Sequence, residues 1–481
     1  MEIIGREPER AALERLSGSG DRRMALLFGR RRVGKTQLLT KLWDRRTAFY
    51  FTASATTPEI NRRALVGEAA RWTGQALRPE DHPTWRTVFR TLLELRPEDG
   101  IVVVLDEVQY LASDEEGLLE VASELNAVWE GRIHRKGGLL LVLCGSAIRT
   151  LEALGKGGSP LYGRLDWSHQ LLPFDYYDSG RMVSPYDPMD RVRAYAAFGG
   201  VPQYLSLVDT AKSVDANIVD LLLSPSGAVR LQLETVLAQE EGLRDLNTYR
   251  GILHAIGTSR RTNGEIASAL GRTLDSGFRR MTGLLAQLGF IEGDRNFNEP
   301  TNQPLHYRIA DPALRMFYGL VLPNESAIAT AGAGVVWRER LARQVFPTYV
   351  GQHVFEDVVR QGYTRHQEAR GLPAVAEWGR WAGRDRHRKD VEIDVVARML
   401  DGGILTGSAK IRNQPANARV LLQHMADLQR LADSGRGWAR AALEPDAPIL
   451  FASASGFTES FEAAAADLGH PLFLWDADDL F

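Results

Sequence analysis

The octet Gly29-Arg-Arg-Arg-Val-Gly34-Lys35-Thr36 fits the pattern G-x-x-x-x-G-K-[ST] at every fixed position. It follows the apolar run MALLF (24–28), which predicts a buried strand, and precedes QLLTKLWDRR (37–46), which predicts a helix. A loop between a strand end and a helix start directs successive backbone N–H groups at an anion, and the two glycines permit its tight path. The spacing therefore predicts a phosphate-binding loop.

Each residue type in this loop has an expected task. Lys35 would reach the β- and γ-phosphates of a nucleotide, and the Thr36 hydroxyl would ligate Mg²⁺. We expect the three arginines to form a solvated basic rim, with contact to the nucleotide or to a partner as the alternative. ATP and Mg²⁺ are thus the predicted cofactors, bound in this loop by Gly29, Arg30, Arg31, Arg32, Val33, Gly34, Lys35, Thr36 and Gln37.

Two further apolar runs end in polar residues. The first, IVVVLDE (101–107), is typical of a parallel strand buried on both faces. Asp106 at its end would hold Mg²⁺ directly or through water, and Glu107 would polarise the water that attacks the γ-phosphate. The second, LLLVLCGS (139–146), predicts a neighbouring strand. Its Ser146 would sense the γ-phosphate or orient water, or would simply be a turn serine.

Composition sets limits on the class of protein. The 481 residues are enough for roughly three domains. With 44% hydrophobic and 25% charged residues and a net charge of −3, the chain has the composition of a soluble globular protein without a global basic field. Cys144 is the single cysteine, and we expect it to be a buried, inert thiol. The charged start of the chain and the short apolar stretches lead us to expect a cytoplasmic protein with no signal peptide and no membrane span.

Five stretches occur in the order typical of one prokaryotic family: IGREPERAALERL (3–16), GRRRVGKT, VVLDEVQYL (103–111), LCGSAI (143–148) and SPLYGRL (159–165). They resemble the archaeal-type ATPases, which are related to AAA+ and STAND NTPases. The resemblance implies an α/β P-loop core over about 1–170, with Ile4, Gly5 and Arg6 beside the adenine. It also implies that Ser146 is a sensor and that Arg164 is an arginine finger, which contacts the γ-phosphate in cis or reaches a neighbouring subunit. A structural salt bridge is the alternative for Arg164. The implied catalytic residues are Lys35, Asp106, Glu107, Ser146 and Arg164.

The next segment, 171–240, is predicted to be a helical lid. Residues 189–222 have a helical pattern and include Gly199-Gly200-Val201-Pro202. This element resembles the GGxP turn of the family, which implies that Pro202 lies near the nucleotide. A plain loop-to-helix junction is the alternative.

A winged helix is predicted over 241–320. Helices are expected at 249–257, 262–271 and 275–288, followed by strands at 288–294 and 304–312. Thr262 and Glu265 have the spacing of a capping box. DNA binding would use Arg272, Arg279 and Arg280. An intramolecular switch or a protein contact is the alternative function.

Residues 321–340 are predicted to be a linker, because 321–335 are small and polar. Beyond it, 341–481 has a mixed α/β pattern. We expect a helix at 350–363, a hairpin of strands at 391–399 and 403–411, a helix at 417–432, and strands within 447–457 and 470–480.

This last domain resembles the restriction-endonuclease-like, PD-(D/E)XK fold attached to archaeal-type ATPases. The resemblance implies a Mg²⁺-binding nuclease site, whose residues here would be Glu356, Glu392, Asp394 and Lys410. The second acid of that pattern is replaced by Ser408, which cannot supply the charge, so we expect a degenerate site. Glu392 shares a face with Asp394 only if the strand keeps its period of two.

The segment GRWAGRDRHRKD (379–390) concentrates positive charge between aromatic residues. Such a mixture suits contact with a nucleic-acid backbone, and a solvated surface loop is the alternative. The residues concerned are Arg380, Arg384, Arg386, Arg388 and Lys389, with Trp378 and Trp381.

The sequence therefore predicts an ATPase that acts on nucleic acid. Two other functions stay open: a signalling switch that acts through protein contacts, and an ATP-gated nuclease. DNA would bind through the winged helix and the basic segment, and a protein partner or a homo-oligomer is also expected.

Overall fold

The computed structural model describes residues 3–44, 46–96, 98–131, 136–240, 242–259, 262–412 and 414–481. The chain divides into two compact units, Met1–Pro173 and Phe174–Phe481. The first boundary lies close to the predicted end of the ATPase core at residue 170. Division of the second unit into lid, winged helix and nuclease-like domain stays a prediction.

The first unit is built on a parallel sheet. Its described strands are β1 (Arg22–Phe28), β2 (Ala48–Thr52), β3 (Ile101–Asp106), β4 (Leu139–Gly145) and β5 (Trp167–Gln170). They lie in the order β2-β3-β4-β1-β5, and every neighbouring pair is parallel. The strands predicted at 24–28, 101–107 and 139–146 are confirmed. Because the strands are parallel, the carboxyl ends of β1, β3 and β4 share one edge of the sheet.

Helices cover the strands of this unit: α1 (Glu7–Ser17), α2 (Lys35–Leu42), α3 (Pro58–Thr73), α4 (Trp85–Leu93), α5 (Glu115–Trp129) and α6 (Ile148–Leu154). Residues 79–81 and 108–111 form 3₁₀ turns. The helix expected over 37–46 instead begins at Lys35, directly after Gly34, and ends before the extended Trp43. Cys144 is fully buried in the core, and this burial raises the pKa of its thiol well above the usual range.

Helices dominate the first half of the second unit: α7 (Tyr176–Met182), α8 (Pro188–Phe198), α9 (Pro202–Leu205), α10 (Val214–Ile218), α11 (Ala228–Thr235), α12 (Leu246–Thr258), α13 (Asn263–Ala269), α14 (Ser276–Gln287), α15 (Pro312–Met316), α16 (Glu325–Ala331), α17 (Ala333–Val336), α18 (Phe346–Val350) and α19 (Glu356–His366). Segments 219–223, 317–321, 337–345 and 351–355 are π-helical, and 237–239, 322–324 and 478–480 are 3₁₀ turns. No described helix combines the length and the apolar character needed to cross a bilayer.

The helical pattern predicted over 189–222 is interrupted. Helix α8 ends at Phe198 and is followed by Gly199, whose φ of 65° favours glycine. The next residue, Gly200, packs closely against the backbone of Phe174. The Phe174 N–H donates to the Gly200 carbonyl oxygen at 2.7 Å. Pro202 then begins α9, as predicted.

The elements predicted between 249 and 312 are all present. Helices α12, α13 and α14 are followed by the antiparallel strands β6 (Ile291–Asp294) and β7 (His306–Ile309). The capping box at the start of α13 is confirmed, because Thr262 N–H donates to the Glu265 carboxylate at 2.7 Å and Thr262 Oγ1 accepts from Glu265 N–H.

The prediction of a linker at 321–340 is wrong. Residues 322–345 are helical almost throughout, in α16, α17 and the π-helical segment that follows. Ile328 and Val336 are buried, and Glu325 pairs with Arg230 of α11. The small and polar residues that suggested a linker include several alanines, which favour helices that pack by a few apolar side chains.

The second half of this unit carries a mixed sheet: β8 (Val375–Arg384), β9 (Asp390–Met399), β10 (Ile404–Lys410), β11 (Ile449–Ser453) and β12 (Leu472–Trp475). The order is β12-β11-β10-β9-β8, with β8, β9 and β10 antiparallel and the others parallel. Its helices are α20 (Ala418–Asp433), α21 (Gly437–Ala441) and α22 (Glu459–Leu468). The predicted β9–β10 hairpin and the helix at 417–432 are confirmed. The alternative prediction of a surface loop over 379–390 is wrong for residues 379–384, because these belong to β8.

The loop between β6 and β7 lies along the outer strand β8 and is called the wing loop (295–305). Asn296 exchanges two hydrogen bonds of 2.9 Å with the backbone of Ala382, and Phe297 N–H donates to the Arg380 carbonyl at 2.8 Å. The Phe297 ring is buried with Trp381 and Trp438 in the core of the C-terminal sheet. The wing loop is thus held by hydrogen bonds against the outer strand β8.

We expect Gly407→Ala to destabilise the second unit. A Cβ at this position of β10 would lie 1.7 Å from the Leu450 carbonyl oxygen, so the paired strands would have to separate. The expected loss is about 3 kcal/mol in the free energy of unfolding, measured by urea denaturation. Gly283→Ala is the control, because that glycine lies in α14 with open space around it and should gain about 0.5–1 kcal/mol. Equal stability of the two variants would contradict the close approach at Gly407.

Candidate nucleotide and metal sites

The phosphate-loop residues adopt a path that two glycines make possible. Gly29 leaves β1 with a φ of 155°, and a Cβ there would lie 2.3 Å from the Leu171 carbonyl oxygen. Gly34 has a φ of 97° and immediately precedes α2. The first backbone N–H groups of α2 have no partner within the helix, so the loop and the helix start form a site for an anion.

Two side chains of the loop are fixed by hydrogen bonds. Lys35 is buried, and its Nζ donates to the carbonyl oxygens of Gly29 at 2.7 Å and of Arg30 at 3.0 Å. Thr36 Oγ1 donates to Asp106 Oδ2 at 2.7 Å, which joins the loop after β1 to the end of β3. A hydroxyl and a carboxylate at this distance are oxygen donors of the kind that Mg²⁺ prefers, so these residues fit the predicted metal.

The predicted catalytic acid lies beside this pair. Glu107 is in the left-handed region with a φ of 55°, and its N–H donates to Asp106 Oδ1 at 2.9 Å. Ser146, at the end of β4, donates to Glu107 Oε2 from its hydroxyl at 2.8 Å and from its N–H at 3.2 Å. The structure therefore brings Thr36, Asp106, Glu107 and Ser146 together at the carboxyl edge of the sheet.

Two residues of this network were missed in the sequence. Gln109 is buried, and its Nε2 donates to Glu107 Oε2 and, at 3.3 Å, to Ser146 Oγ. Tyr110 accepts a hydrogen bond of 2.7 Å from Arg31 of the loop. The prediction of a solvated rim is thus wrong for Arg31. A polar Gln109 within the otherwise apolar VQYL stretch was the signal that could have found the first contact.

The N-terminal element contacts the phosphate loop. Gly5 and Arg6 both have positive φ, and Arg6 Nη2 donates to the carbonyl oxygens of Val33 at 3.1 Å and Leu172 at 2.7 Å. Contact of Ile4, Gly5 and Arg6 with adenine stays a prediction, as does a place for Pro202 near the nucleotide. Among the nine loop residues, Gln37 is exposed on α2 and Arg32 has a φ of 70°.

Arg164 adopts the alternative that the sequence left open. Its Nε lies 2.9 Å from a carboxylate oxygen of Glu130 and 3.4 Å from the side-chain oxygen of Asn126. This is an exposed ion pair between side chains of the first unit. A role at the γ-phosphate stays a prediction.

A second group of acids lies in the second unit. Oxygens of Glu356, Glu392 and Asp394 all lie within 4.8 Å of one another, and we call these residues the acid cluster. Glu356 begins α19, and the other two are alternate residues of β9, so the period-two register is confirmed. The buried Asp394 Oδ1 has no hydrogen-bond partner among the described residues. Glu356 and Asp394 line a cavity of about 850 Å³.

Ser408 and Lys410 contact the acid cluster from β10. Ser408 Oγ donates to Asp394 Oδ2 at 2.8 Å, as does Ala409 N–H at 3.2 Å, and Lys410 Nζ lies 3.5 Å from Asp394 Oδ1. Serine does not supply the acid that the family pattern has at position 408. Glu392 on β9, with Glu356 on α19, supplies carboxylates to the same place.

The electrostatics of the cluster are those of acids held together. Burial, together with the charges of Asp394 and Glu392, raises the pKa of Glu356 to about 9. Burial also raises the pKa of Asp394, against the opposing effects of Lys410 and the Ser408 hydrogen bond. Arg380 lies 3.7 Å from Glu356 and partly offsets the charge. Three carboxylates, one with a buried oxygen that accepts no hydrogen bond among the described residues, suit a divalent cation.

The basic segment is split by the fold. Arg380 faces Glu356 and Asp294, Trp381 is buried, and Trp378 packs edge-on against Tyr363. Trp381 thus belongs to the core, Trp378 is partly buried, and contact of this segment with a nucleic-acid backbone stays a prediction. The remaining cations are exposed at the turn between β8 and β9, which we call the hairpin tip: Arg384, Arg386, Arg388 and Lys389.

The structure also shows where the arginines lie that were predicted to contact DNA from the helices of 241–320. Arg279 and Arg280 are exposed on α14, and Arg272 pairs with Asp245 at 3.0 Å. DNA binding by these residues stays a prediction.

Two family models match parts of the chain. Residues 4–208 match a family described as an ATPase domain predominantly from Archaea, which identifies an ATPase domain in this part of the chain. Residues 317–421 match a family of archaeal and bacterial proteins of unknown function. The acid cluster, Ser408 and Lys410 all lie within this second match, which assigns them no activity.

Individual proteins are similar over much of the chain. An uncharacterized protein of Methanocaldococcus jannaschii, MJECL04, is 25% identical over 402 residues, which cover 82% of this chain and 84% of that protein. Among solved structures, the Walker-type ATPase PABY2304 of Pyrococcus abyssi is 21% identical with a TM-score of 0.48, and the match covers 66% of this chain and 96% of that one. The ORC2 protein of Aeropyrum pernix is 15% identical with a TM-score of 0.43, covering 68% and 96%.

We expect Glu356→Gln to stabilise the metal-free protein increasingly as pH rises. The pKa of Glu356 is raised from 4.5 to about 9, so the folded protein keeps a proton that the unfolded chain releases between these values. Stability is then lost as pH rises through this window, and a neutral glutamine avoids the loss. Urea denaturation in chelator at several pH values between 5 and 9 measures the difference. Glu368→Gln, an exposed residue after α19, is the control for removing a charge. A difference from wild type that does not change with pH would contradict the shift.

Proposed function

We propose that the first unit binds ATP with Mg²⁺ and hydrolyses it to ADP and phosphate. The observation that carries this proposal is the 2.7 Å bond between Thr36 and Asp106, because it brings the two predicted metal ligands together beside the phosphate loop. The match to an ATPase domain over residues 4–208 supports the same chemistry.

Each residue of this edge then has a task in hydrolysis. The N–H groups of the loop and Lys35 Nζ bind phosphate oxygens, and Thr36 and Asp106 hold the metal. When bound, Mg²⁺ neutralises charge on the phosphate oxygens. Glu107 orients a water and accepts its proton while the water oxygen bonds to the γ-phosphorus and the bond from that phosphorus to the ADP oxygen breaks. Ser146 and the backbone hold Glu107 for this step.

Glu107→Gln is expected to abolish turnover while retaining ATP binding. Glutamine keeps the size of the side chain but cannot accept the proton, so kcat should fall by about 10²–10⁴-fold. Lys35→Ala should instead weaken binding of a fluorescent ATP analogue. Glu116→Gln, an exposed acid of α5, is the matched control and should hydrolyse ATP like wild type. Full activity of Glu107→Gln would overturn the role of this acid.

We further propose that hydrolysis is coupled to nucleic acid. The exposed cations of the hairpin tip lie at the end of β8 and in the turn that leads to β9, and β9 carries two residues of the acid cluster. Phosphate contacts release counterions, so binding of nucleic acid through these cations should weaken steeply as the salt concentration rises.

The ATPase assay above, repeated with duplex and single-stranded DNA, separates the two alternatives. Stimulation of hydrolysis by DNA supports nucleic-acid coupling, whereas a low rate that does not respond to DNA favours a signalling switch that responds to a protein.

As a second function we propose that the acid cluster binds a divalent cation. The proposal is supported by the distances within 4.8 Å, by the buried Asp394 Oδ1, which accepts no hydrogen bond among the described residues, and by the ion pair of that oxygen with Lys410. With a cation bound, such a site would suit phosphodiester hydrolysis, in which Lys410 would position the water. The carboxylate of Glu392 offsets the acid that Ser408 does not supply.

Asp394→Asn is expected to lose one Mn²⁺ from the stoichiometry measured by calorimetry without nucleotide. The substitution removes the buried charge at the centre of the cluster. The control is Asp390→Asn, at the exposed start of the same strand, which should bind Mn²⁺ as wild type does. Because the pKa of Glu356 is about 9, binding near pH 7.5 should release a proton. Titration in two buffers of different ionisation enthalpy detects that release. An equal Mn²⁺ stoichiometry for Asp394→Asn and Asp390→Asn would overturn the proposal of a metal site.

A further inference from the structure

Glu107 is held from one side by a residue that the ATPase chemistry above does not use. Its Oε2 accepts hydrogen bonds from Ser146 Oγ at 2.8 Å, from Ser146 N–H at 3.2 Å and from Gln109 Nε2. Within the part of the chain that the structure describes, these contacts all fall on the same oxygen. The other oxygen, Oε1, is thereby left for water.

The orientation of the Gln109 amide follows from its neighbours. A carboxylate oxygen only accepts, so the amide must present its NH₂ group to Glu107. The same Nε2 donates to Ser146 Oγ at 3.3 Å, so one amide group contacts both polar residues at the ends of β3 and β4. Reversing the amide would place two acceptors against each other.

The orientation of the Gln109 amide leaves one of its buried polar atoms without a hydrogen bond. Its side chain is buried, and its Oε1 has no hydrogen-bond partner among the described residues. A buried unpaired carbonyl oxygen destabilises a folded protein, and an apolar side chain of the same shape would avoid this. Gly145 makes room for it, because a Cβ at position 145 would lie 2.3 Å from Gln109 Oε1. A polar group retained in such a place is explained by the contact that its other end makes.

We propose that Gln109 is a positioning residue for ATP hydrolysis: it fixes the carboxylate of Glu107, together with Ser146, so that Oε1 faces the attacking water. This inference rests on the proposed hydrolysis of ATP. The position of the acid depends on it because Glu107 lies between the end of β3 and the 3₁₀ turn at 108–111, with a left-handed backbone, so the backbone alone does not fix its carboxylate. A catalytic acid displaced by about 1 Å loses about 100-fold in rate.

The test is Gln109→Met in the full-length chain. Methionine has a similar length and shape, and it removes both the donor and the unpaired oxygen. We expect kcat for ATP to fall about 10- to 100-fold, with the KM and the affinity for a fluorescent ATP analogue unchanged and the melting temperature equal to or above that of wild type. Gln75→Met, at an exposed glutamine of the same unit, is the control for the chemical change and should behave as wild type.

A second measurement separates positioning from a general structural effect. In single-turnover assays with labelled ATP, Gln109→Met should have no further effect in a Glu107→Gln background, because the residual rate no longer uses that carboxylate. An unchanged kcat in Gln109→Met, a parallel loss of affinity and melting temperature, or an equal loss in both backgrounds would overturn the inference. Absence of hydrolysis by the wild-type protein under every condition would instead overturn the proposed function.

Discussion

The hydrogen bond from Thr36 to Asp106 depends on a single constraint, the parallel pairing of the strands in the first unit. Strands β1 and β3 are separated by β4, and only a parallel arrangement puts the ends of all three strands at one edge. At that edge the loop after β1 supplies an anion site, two acids lie at and directly after the end of β3, and a serine directly follows β4. None of these groups is close to the others in sequence, so their proximity is a property of the sheet.

The second unit reaches a comparable concentration of acids by a different route. An antiparallel hairpin places Glu392 and Asp394 on one face, and the start of α19 adds Glu356. Mutual repulsion and burial make this arrangement unfavourable without a compensating cation or proton, as the pKa of about 9 at Glu356 indicates. Arg380 and Lys410 offset only part of the charge.

The sequence predicted the fold best where a motif and a hydrophobic pattern coincided. The strands ending at Phe28, Asp106 and Gly145, and the hairpin of β9 and β10, were all located in this way. The linker at 321–340 was wrong because small residues form helices as readily as loops once a few apolar side chains are buried. The basic segment was misjudged because alternation along β8 sends Trp381 inward, and strand β8 had not been recognised.

The site residues also fall into two groups: those that a sequence motif predicts and those that only the fold brings together. Lys35, Thr36, Asp106 and Glu107 follow from spacing, because each belongs to a pattern with a chemical reason. Gln109 does not, since its contacts with Glu107 and Ser146 depend on how a 3₁₀ turn folds back against the next strand. The role of Glu392 depended on strand register, which the spacing permitted and the paired residues of the hairpin established.

The wing loop along β8 has a consequence for how this protein behaves at high concentration. An outer strand with free N–H and C=O groups is a template on which another chain can add a strand, and it is a common origin of aggregation. Asn296 and Phe297 occupy such groups at the middle of β8, and the buried Phe297 ring holds them there. The wing loop therefore occupies backbone groups of β8 with which a strand of another chain could otherwise pair.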